Sequence, residues 1–192
     1  MASTFAKALA RLAEREFDEY GTLHETHPAM QRRIKGYWDE INLDFTTVSV
    51  PWSAVFVSSR VKRAGALPTE FKFAAAHSKF VFAAAKNAAN GTGMFRAFPI
   101  DVHAPKVGDI IQNNRGGNEF TFTHAKTHDS YMSHSAIVVE EGADGAGRYV
   151  RTIGGNEGDK VGDRVVRLTV SGLIKQPSTA PKYYISVIQT LK

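Results

Sequence analysis

The sequence contains no cysteine, which excludes a disulfide framework, a thiolate metal site and a thiol nucleophile for the chain as it stands. It also lacks any run approaching the roughly 18 consecutive apolar residues that a membrane-spanning helix needs. Its first residues, MASTFAKALARLAEREFDEYG, have no uninterrupted apolar core of the kind found in secretory signal peptides. We therefore expect no membrane span and no Sec signal.

A strong charge of one sign is absent as well. The 24 Lys and Arg residues exceed the 19 Asp and Glu residues to give +5, and the basic residues are spread along the chain. Such a diffuse excess is typical of a solvated surface, and it also suits weak attraction to an anionic cell wall, nucleic acid or membrane surface. Because it favours none of these, we expect no specific nucleic-acid partner.

The first half of the chain carries four helical patterns. The first is capped by Ser3 or Thr4, and the second has Pro28 in its first turn. The third runs from about Trp52 to Gly65, and the fourth is opened by Thr69 and ended by Asn90-Gly91.

From residue 107 the pattern changes to short runs of branched and aromatic residues separated by Gly, Asn and Asp. Five runs have this character: VGDIIQ, HSAIVVEEG, GRYVRTIGGN, RVVRLTV and YYISVIQTL. They predict antiparallel strands in a small curved sheet or half-barrel, with the helices gathered on one side. The fold class is therefore α+β.

Three polar residues mark a candidate active site. Ser53 lies in the first turn of the third predicted helix, directly behind Pro51 and Trp52, where the helix amides concentrate partial positive charge. His134 begins an apolar strand, and Asn156 follows the paired glycines that end the next strand. These residues fit a nucleophile, a base and an orienting group. They also fit a capping serine and an ordinary strand histidine.

The succession of short motifs resembles a known superfamily. YW in a helix is followed by PWSAVFVSS, GDII, SHSAIVV and TIGGN. This order is similar to that of the CHAP and NlpC-type cell-wall amidases and endopeptidases over about residues 30–190. The similarity is greatest to a branch that carries Pro-Trp-Ser-Ala where better-known members carry Pro-Trp-Cys-Ala. It implies a papain-like fold, with N-terminal helices packed on a five- to six-stranded antiparallel sheet or half-barrel. Residues 1–192 would form one hydrolase domain, with residues 1–27 as a helical extension.

The resemblance also implies roles for individual residues. Ser53 falls at the nucleophile, His134 at the general base and Asn156 at the residue that orients the imidazole, a role for which Asp159 and Asp163 also stay open. His77 lies where this branch tends to have histidine and is expected to line the substrate cleft. Trp52 and the loop histidines His124 and His128 are expected in the same cleft. For His77 the alternative is a helix residue packed between core and solvent.

The serine departs from the pattern of the better-known members. A cysteine in this position ionises beside histidine, since its ordinary pKa is only about 8.5. A serine hydroxyl must instead lose its proton to His134 during attack. Three interpretations of Ser53 stay open: a native serine nucleophile, a native serine in a domain that binds or has lost activity, and a serine that replaces a catalytic cysteine.

A metal site is the alternative use of the histidines in HAKTHDSYMSH. His124 and His128 have the i, i+4 spacing of a zinc-binding helix. The segment lacks a glutamate beside His124, and its composition favours a loop that leads into a strand. We therefore expect no metal and no cofactor.

The predicted function is hydrolysis of an amide bond in the peptidoglycan stem peptide or cross-bridge, by acyl transfer to water. Because a signal peptide is absent, we expect delivery to the periplasm or cell wall as a secreted antibacterial effector or a phage-type lysin, and an effector would have an immunity protein. The alternative from another class is a catalytically silent binding module with the same fold. An amidase or peptidase acting on a substrate outside the cell wall is a third hypothesis.

Overall fold

The computed structural model describes residues 2–178 and 183–192, and it has the predicted α+β architecture. The described part of the chain contains five helices and six strands. In chain order they are α1 Thr4–Tyr20, α2 Pro28–Glu40, α3 Ser53–Arg63, α4 His77–Ala89, β1 Phe95–Pro99, β2 Ile110–Asn114, α5 Phe122–Ala125, β3 Ser133–Asp144, β4 Gly147–Gly154, β5 Gly162–Arg167 and β6 Tyr184–Thr190. None of these helices has the length and apolarity to cross a membrane.

The strands form one open sheet in the order β1-β6-β2-β3-β4-β5, and every neighbouring pair is antiparallel. Five of them are the strands that the sequence predicts. The prediction from residue 107 onward missed β1, which precedes that point. This strand has only five residues, ends in a proline and lies at the edge of the sheet, where proline is tolerated.

The first three helices begin where the sequence predicts. Ser3 caps α1 by accepting a hydrogen bond from the backbone N–H of Ala6 at 3.0 Å, and Pro28 is the first residue of α2. The main apolar core lies between the helices and one face of the sheet, and its fully buried members include Leu9, Phe56 and Ile137. Helix α1 packs on β3 and α3, so the predicted N-terminal extension contributes to this core.

The fourth helix begins later than predicted, at His77 rather than Thr69. The reason is a long-range contact that helical periodicity does not reveal. The hydroxyl of Ser58, on α3, donates to the carbonyl of Ala74 at 2.9 Å and accepts from its N–H at 3.1 Å. Because both backbone groups of Ala74 are used in this way, the segment before His77 is tied to α3.

A buried ion-pair network joins α1, α2 and α3. The guanidinium of Arg60 is 1% exposed and bonds to Glu16 and Glu40, while Arg33 bonds to the same two carboxylates. Tyr37 donates its hydroxyl to Glu16 at 2.7 Å. The buried charges are thus paired, although Nε of Arg60 has no hydrogen-bond partner among the described residues, and the pairs fix α3 relative to the two preceding helices.

Candidate active site

Ser53 is the first residue of α3 and lies against a histidine. Its Oγ shares a hydrogen bond of 2.7 Å with Nε2 of His77, and the residue is 2% exposed. The N-cap residue, Trp52, makes no side-chain capping bond, so the N–H groups of the first helical turn are not satisfied by a cap. The hydroxyl of Ser53 therefore lies beside an imidazole and at the N-terminus of a helix, where the partial charge is positive.

The contact between Ser58 and Ala74 holds the segment just before His77 against α3 and so determines where His77 lies. His77 is 5% exposed, packs edge-on against Phe80 and lies beside His134, with the two imidazole centroids 5.3 Å apart. Burial lowers the pKa of His77 well below its ordinary value, and the charges of His134 and Arg115 add to this. Among the described residues, Nδ1 of His77 has no hydrogen-bond partner. His77 is therefore a neutral imidazole at neutral pH.

His134 is the second residue of β3, where it pairs in register with Asn113 of β2. It is 6% exposed, and its Nε2 lies 3.0 Å from Oε1 of Glu157. The described contacts include no hydrogen bond between His134 and Ser53. The structure brings Ser53, His77 and His134 into one contiguous group, with His77 between the other two in the chain of contacts.

The carboxylate of Glu157 orients His134, in place of the expected amide of Asn156. Burial acts to raise the pKa of Glu157, but the hydrogen bond from His134 and the charges of His134 and Arg164 outweigh it, so the pKa is lowered. Glu157 also accepts a bond of 2.9 Å from Arg164. Because an ionised carboxylate can only accept, Nε2 of His134 carries the hydrogen, and in the neutral ring Nδ1 is the free base.

Local backbone geometry explains why Glu157 takes this position. Asn156 adopts a left-handed conformation with φ +57°, and the side chain that meets the imidazole is that of the next residue. Gly154 leaves room for the contact, since a Cβ there would lie 3.0 Å from both His134 Nε2 and Glu157 Oε1. In the sequence, the only indication that Glu157 orients His134 is its position directly after Asn156.

The two aspartates considered for the same role have different partners. Asp159 lies 3.6 Å from Nε2 of His24, and Asp163 lies 3.5 Å from a guanidinium nitrogen of Arg151. Neither carboxylate contacts His134 among the described contacts, so Glu157 alone of these acidic residues orients the imidazole.

Three of the residues expected in the cleft lie elsewhere. Trp52 is fully buried, stacks on Tyr37 and donates its indole N–H to Glu25 at 2.9 Å, so it belongs to the core. His124 lies in the short helix α5, and its ring stacks on that of His128 with centroids 4.0 Å apart.

In the part of the chain that the structure describes, no three His, Cys, Asp or Glu side chains are grouped to hold a metal ion.

A cavity of about 350 Å³ opens beside this group of residues. His134 and Glu157 form part of its wall, and the other polar lining residues include Asn156, Arg115, Arg164 and Tyr183. Ser53 and His77 are not among its described lining residues. Molecules in solution can thus reach His134 and Glu157 through the cavity, whereas Ser53 is buried and does not line it.

Comparison with known proteins gives one family. Residues 25–187 match the model of a family described as "Uncharacterized protein conserved in bacteria (DUF2272)". No curated protein and no solved structure matches the chain. The matched region begins just before α2 and ends within β6, and it contains every residue of the candidate site.

Proposed function

The chain belongs to the DUF2272 family of bacterial proteins, and we propose that it is a hydrolase that cleaves an amide bond by acyl transfer to Ser53. One observation carries the proposal. A serine at a helix N-terminus is hydrogen-bonded to an imidazole, and a second imidazole beside it is held by an ionised carboxylate. A nucleophile, a base and a group that orients the base are the parts that acyl transfer needs.

The base in this proposal is His134. The lowered pKa of His77 makes that ring a poor acceptor of a full proton, and Nδ1 of His77 has no partner among the described residues to stabilise a cation. His134 has a carboxylate on Nε2 that stabilises the imidazolium, which leaves Nδ1 to receive the proton. For this step the hydroxyl of Ser53 must turn from His77 toward His134, whose ring centroid lies 5.3 Å from that of His77.

The reaction then follows the usual steps of a serine hydrolase. Oγ of Ser53 bonds to the amide carbon while its proton passes to Nδ1 of His134, and the N–H groups of the first turn of α3 stabilise the oxyanion. His134 returns the proton to the leaving nitrogen as the C–N bond breaks, leaving an ester on Ser53. Water, deprotonated by His134, attacks this ester and releases the carboxylic acid and the free serine.

The proposed substrate is the stem peptide or cross-bridge of peptidoglycan. The order of sequence motifs supports this class, and the net charge of +5 suits an anionic wall. The antiparallel sheet with α3 packed on β3 is compatible with a papain-like arrangement, which we include in the proposal. Action would then take place in the periplasm or cell wall, after delivery as an effector or lysin. An immunity protein would act by covering the cavity.

A second candidate function is a binding module without catalysis. Ser53 is almost fully covered and its hydrogen bond to His77 satisfies it, which is what a structural serine would show. Under this candidate the cavity binds a wall fragment, and replacement of Ser53 leaves that binding unchanged.

Digestion of purified peptidoglycan separates the candidates, with released muropeptides identified by mass. We expect products from the protein with Ser53 intact and none from Ser53→Ala. Ser135→Ala is the matched control, because Ser135 is also fully buried and its Oγ has no partner among the described residues. Products only from Ser53→Cys would mean that the serine replaces a catalytic cysteine. No products from any of these proteins would favour the binding module.

A further inference from the structure

The cavity carries a positive charge that nothing in the described chain balances. Of its two arginines, Arg164 is held by Glu157 at 2.9 Å and by the hydroxyl of Tyr183. The guanidinium of Arg115 has no hydrogen bond or ion pair within residues 2–178 and 183–192. Two arginines and one carboxylate leave the wall with one unpaired cation, which favours an anionic ligand.

The cavity also contains an acceptor that lacks a donor. Oδ1 of Asn156 is buried and has no hydrogen-bond partner among the described residues. An unsatisfied buried carbonyl is unfavourable, so it marks a place where a ligand N–H would be stabilised. The left-handed backbone of Asn156 holds this residue in the turn that also presents Glu157.

The turn that bears Arg115 is held in one conformation by glycine residues and side-chain hydrogen bonds. Gly116-Gly117 takes left-handed φ values of +66° and +78°, which turn the chain back after β2. The side-chain amide of Asn118 donates to the carbonyl of Arg115 at 2.9 Å. Across the turn, the amide of Asn114 makes two hydrogen bonds to the backbone of Phe120, at 2.9 and 3.0 Å. The arginine is therefore presented from a fixed backbone.

We propose that this cavity is a subsite for a carboxylate of the substrate, which Arg115 binds while Oδ1 of Asn156 accepts an N–H of the same ligand. Because His134 and Glu157 line the same cavity, a bound carboxylate would lie close to the proposed base. The substrate class is thus an acidic peptide, with a free carboxylate beside the scissile amide. As far as cleavage is concerned, this inference rests on the proposed function.

The test measures binding without turnover, using Ser53→Ala protein and calorimetry at fixed salt. The two probes are acetyl-alanyl-glutamate and acetyl-alanyl-glutamine amide, which differ in that carboxamides replace the carboxylates. We expect the acidic probe to bind about tenfold more tightly, as for a charge-assisted hydrogen bond, and Arg115→Gln to remove the preference. Arg15→Gln is the charge-matched control, since Arg15 lies on α1 with its side chain 73% exposed and paired with Glu19.

Two further variants keep the test decisive. Arg115→Lys should retain part of the preference, which guards against a folding effect of Arg115→Gln. Asn156→Gly keeps the left-handed backbone and should weaken both probes alike, because both carry an N–H. Equal binding of the probes, no binding of either, or a preference that survives Arg115→Gln would overturn the subsite. A preference for the acidic probe in a protein that never digests peptidoglycan would uphold the subsite and overturn the proposed function.

Discussion

Glu157 accepts a hydrogen bond from Nε2 of His134 at 3.0 Å. His134 lies near the start of β3, and Glu157 follows the end of β4, so the contact joins the two ends of the β3–β4 hairpin. The contact fixes the tautomer and orientation of the imidazole, which is the role of the acidic member of a catalytic triad. It also links the histidine to Arg164 through the second oxygen of the same carboxylate.

Glu157→Gln tests this relationship. Glutamine keeps the size of the side chain but cannot stabilise an imidazolium as a carboxylate does, so we expect kcat on peptidoglycan to fall by about 100-fold or more. The matched control is Asp163→Asn, which removes an acidic group on β5 that faces Arg151. A Glu157→Gln protein as active as Asp163→Asn would show that the carboxylate does not assist the base.

The buried His77 predicts a specific dependence of stability on pH. Its folded pKa lies well below the unfolded value of about 6.5, so below pH 6.5 the unfolded chain binds more protons. The stability that the neutral ring provides is complete above that pH and is lost as the pH falls, at up to about 1.4 kcal/mol per pH unit. Urea unfolding between pH 7 and 5 should show this loss in the wild-type chain and a smaller one in His77→Gln. Identical curves would contradict the assignment.

Gly154→Ala should damage activity more than stability. The added Cβ would lie 3.0 Å from both atoms of the bond between His134 and Glu157, so the imidazole has to move. We expect at least about a tenfold loss of kcat, because small displacements of catalytic groups are costly. Gly145→Ala is the control, since a Cβ there meets nothing within 4 Å. If both variants retain full activity, the position of His134 is not critical.

Arg60→Leu tests the network that anchors α3. The substitution leaves Glu16 and Glu40 with one cation fewer in a buried site, and we expect a loss of about 3–5 kcal/mol in the free energy of unfolding. Arg63→Leu removes a 54% exposed partner of Glu40 and should cost less than about 1 kcal/mol. Chemical denaturation measures both, and similar losses would mean that burial does not matter here.

The parts of the fold that the sequence predicts are those set by local pattern. Apolar periodicity and capping residues placed α1, α2 and α3, and alternating runs placed five of the six strands. The start of α4 could not be predicted in this way, because the hydroxyl of Ser58, far from Ala74 in the chain, decides it.

The sequence predicts that Ser53 and His134 lie close together, but it does not predict the partner of either residue. Ser53 and His134 lie in one group as expected, whereas His77 is the direct partner of the serine and Glu157 the partner of His134. Each of these contacts depends on tertiary structure: the first on the contact between Ser58 and Ala74 just before α4, the second on a left-handed turn at Asn156. The spacing of motifs predicts which turn lies near His134, but it does not predict which side chain of that turn contacts the imidazole.

Covalent labelling by a fluorophosphonate, with the modified peptide located by mass spectrometry, shows whether Ser53 is an activated nucleophile. A fluorophosphonate reacts with an activated serine hydroxyl, so the experiment does not require the substrate to be known. We expect an adduct on Ser53 in the wild-type chain, none in Ser53→Ala, and a labelling rate reduced by at least about 100-fold in His134→Ala. Absence of any adduct on Ser53, or labelling that is unchanged in His134→Ala, would contradict a serine nucleophile activated by this histidine.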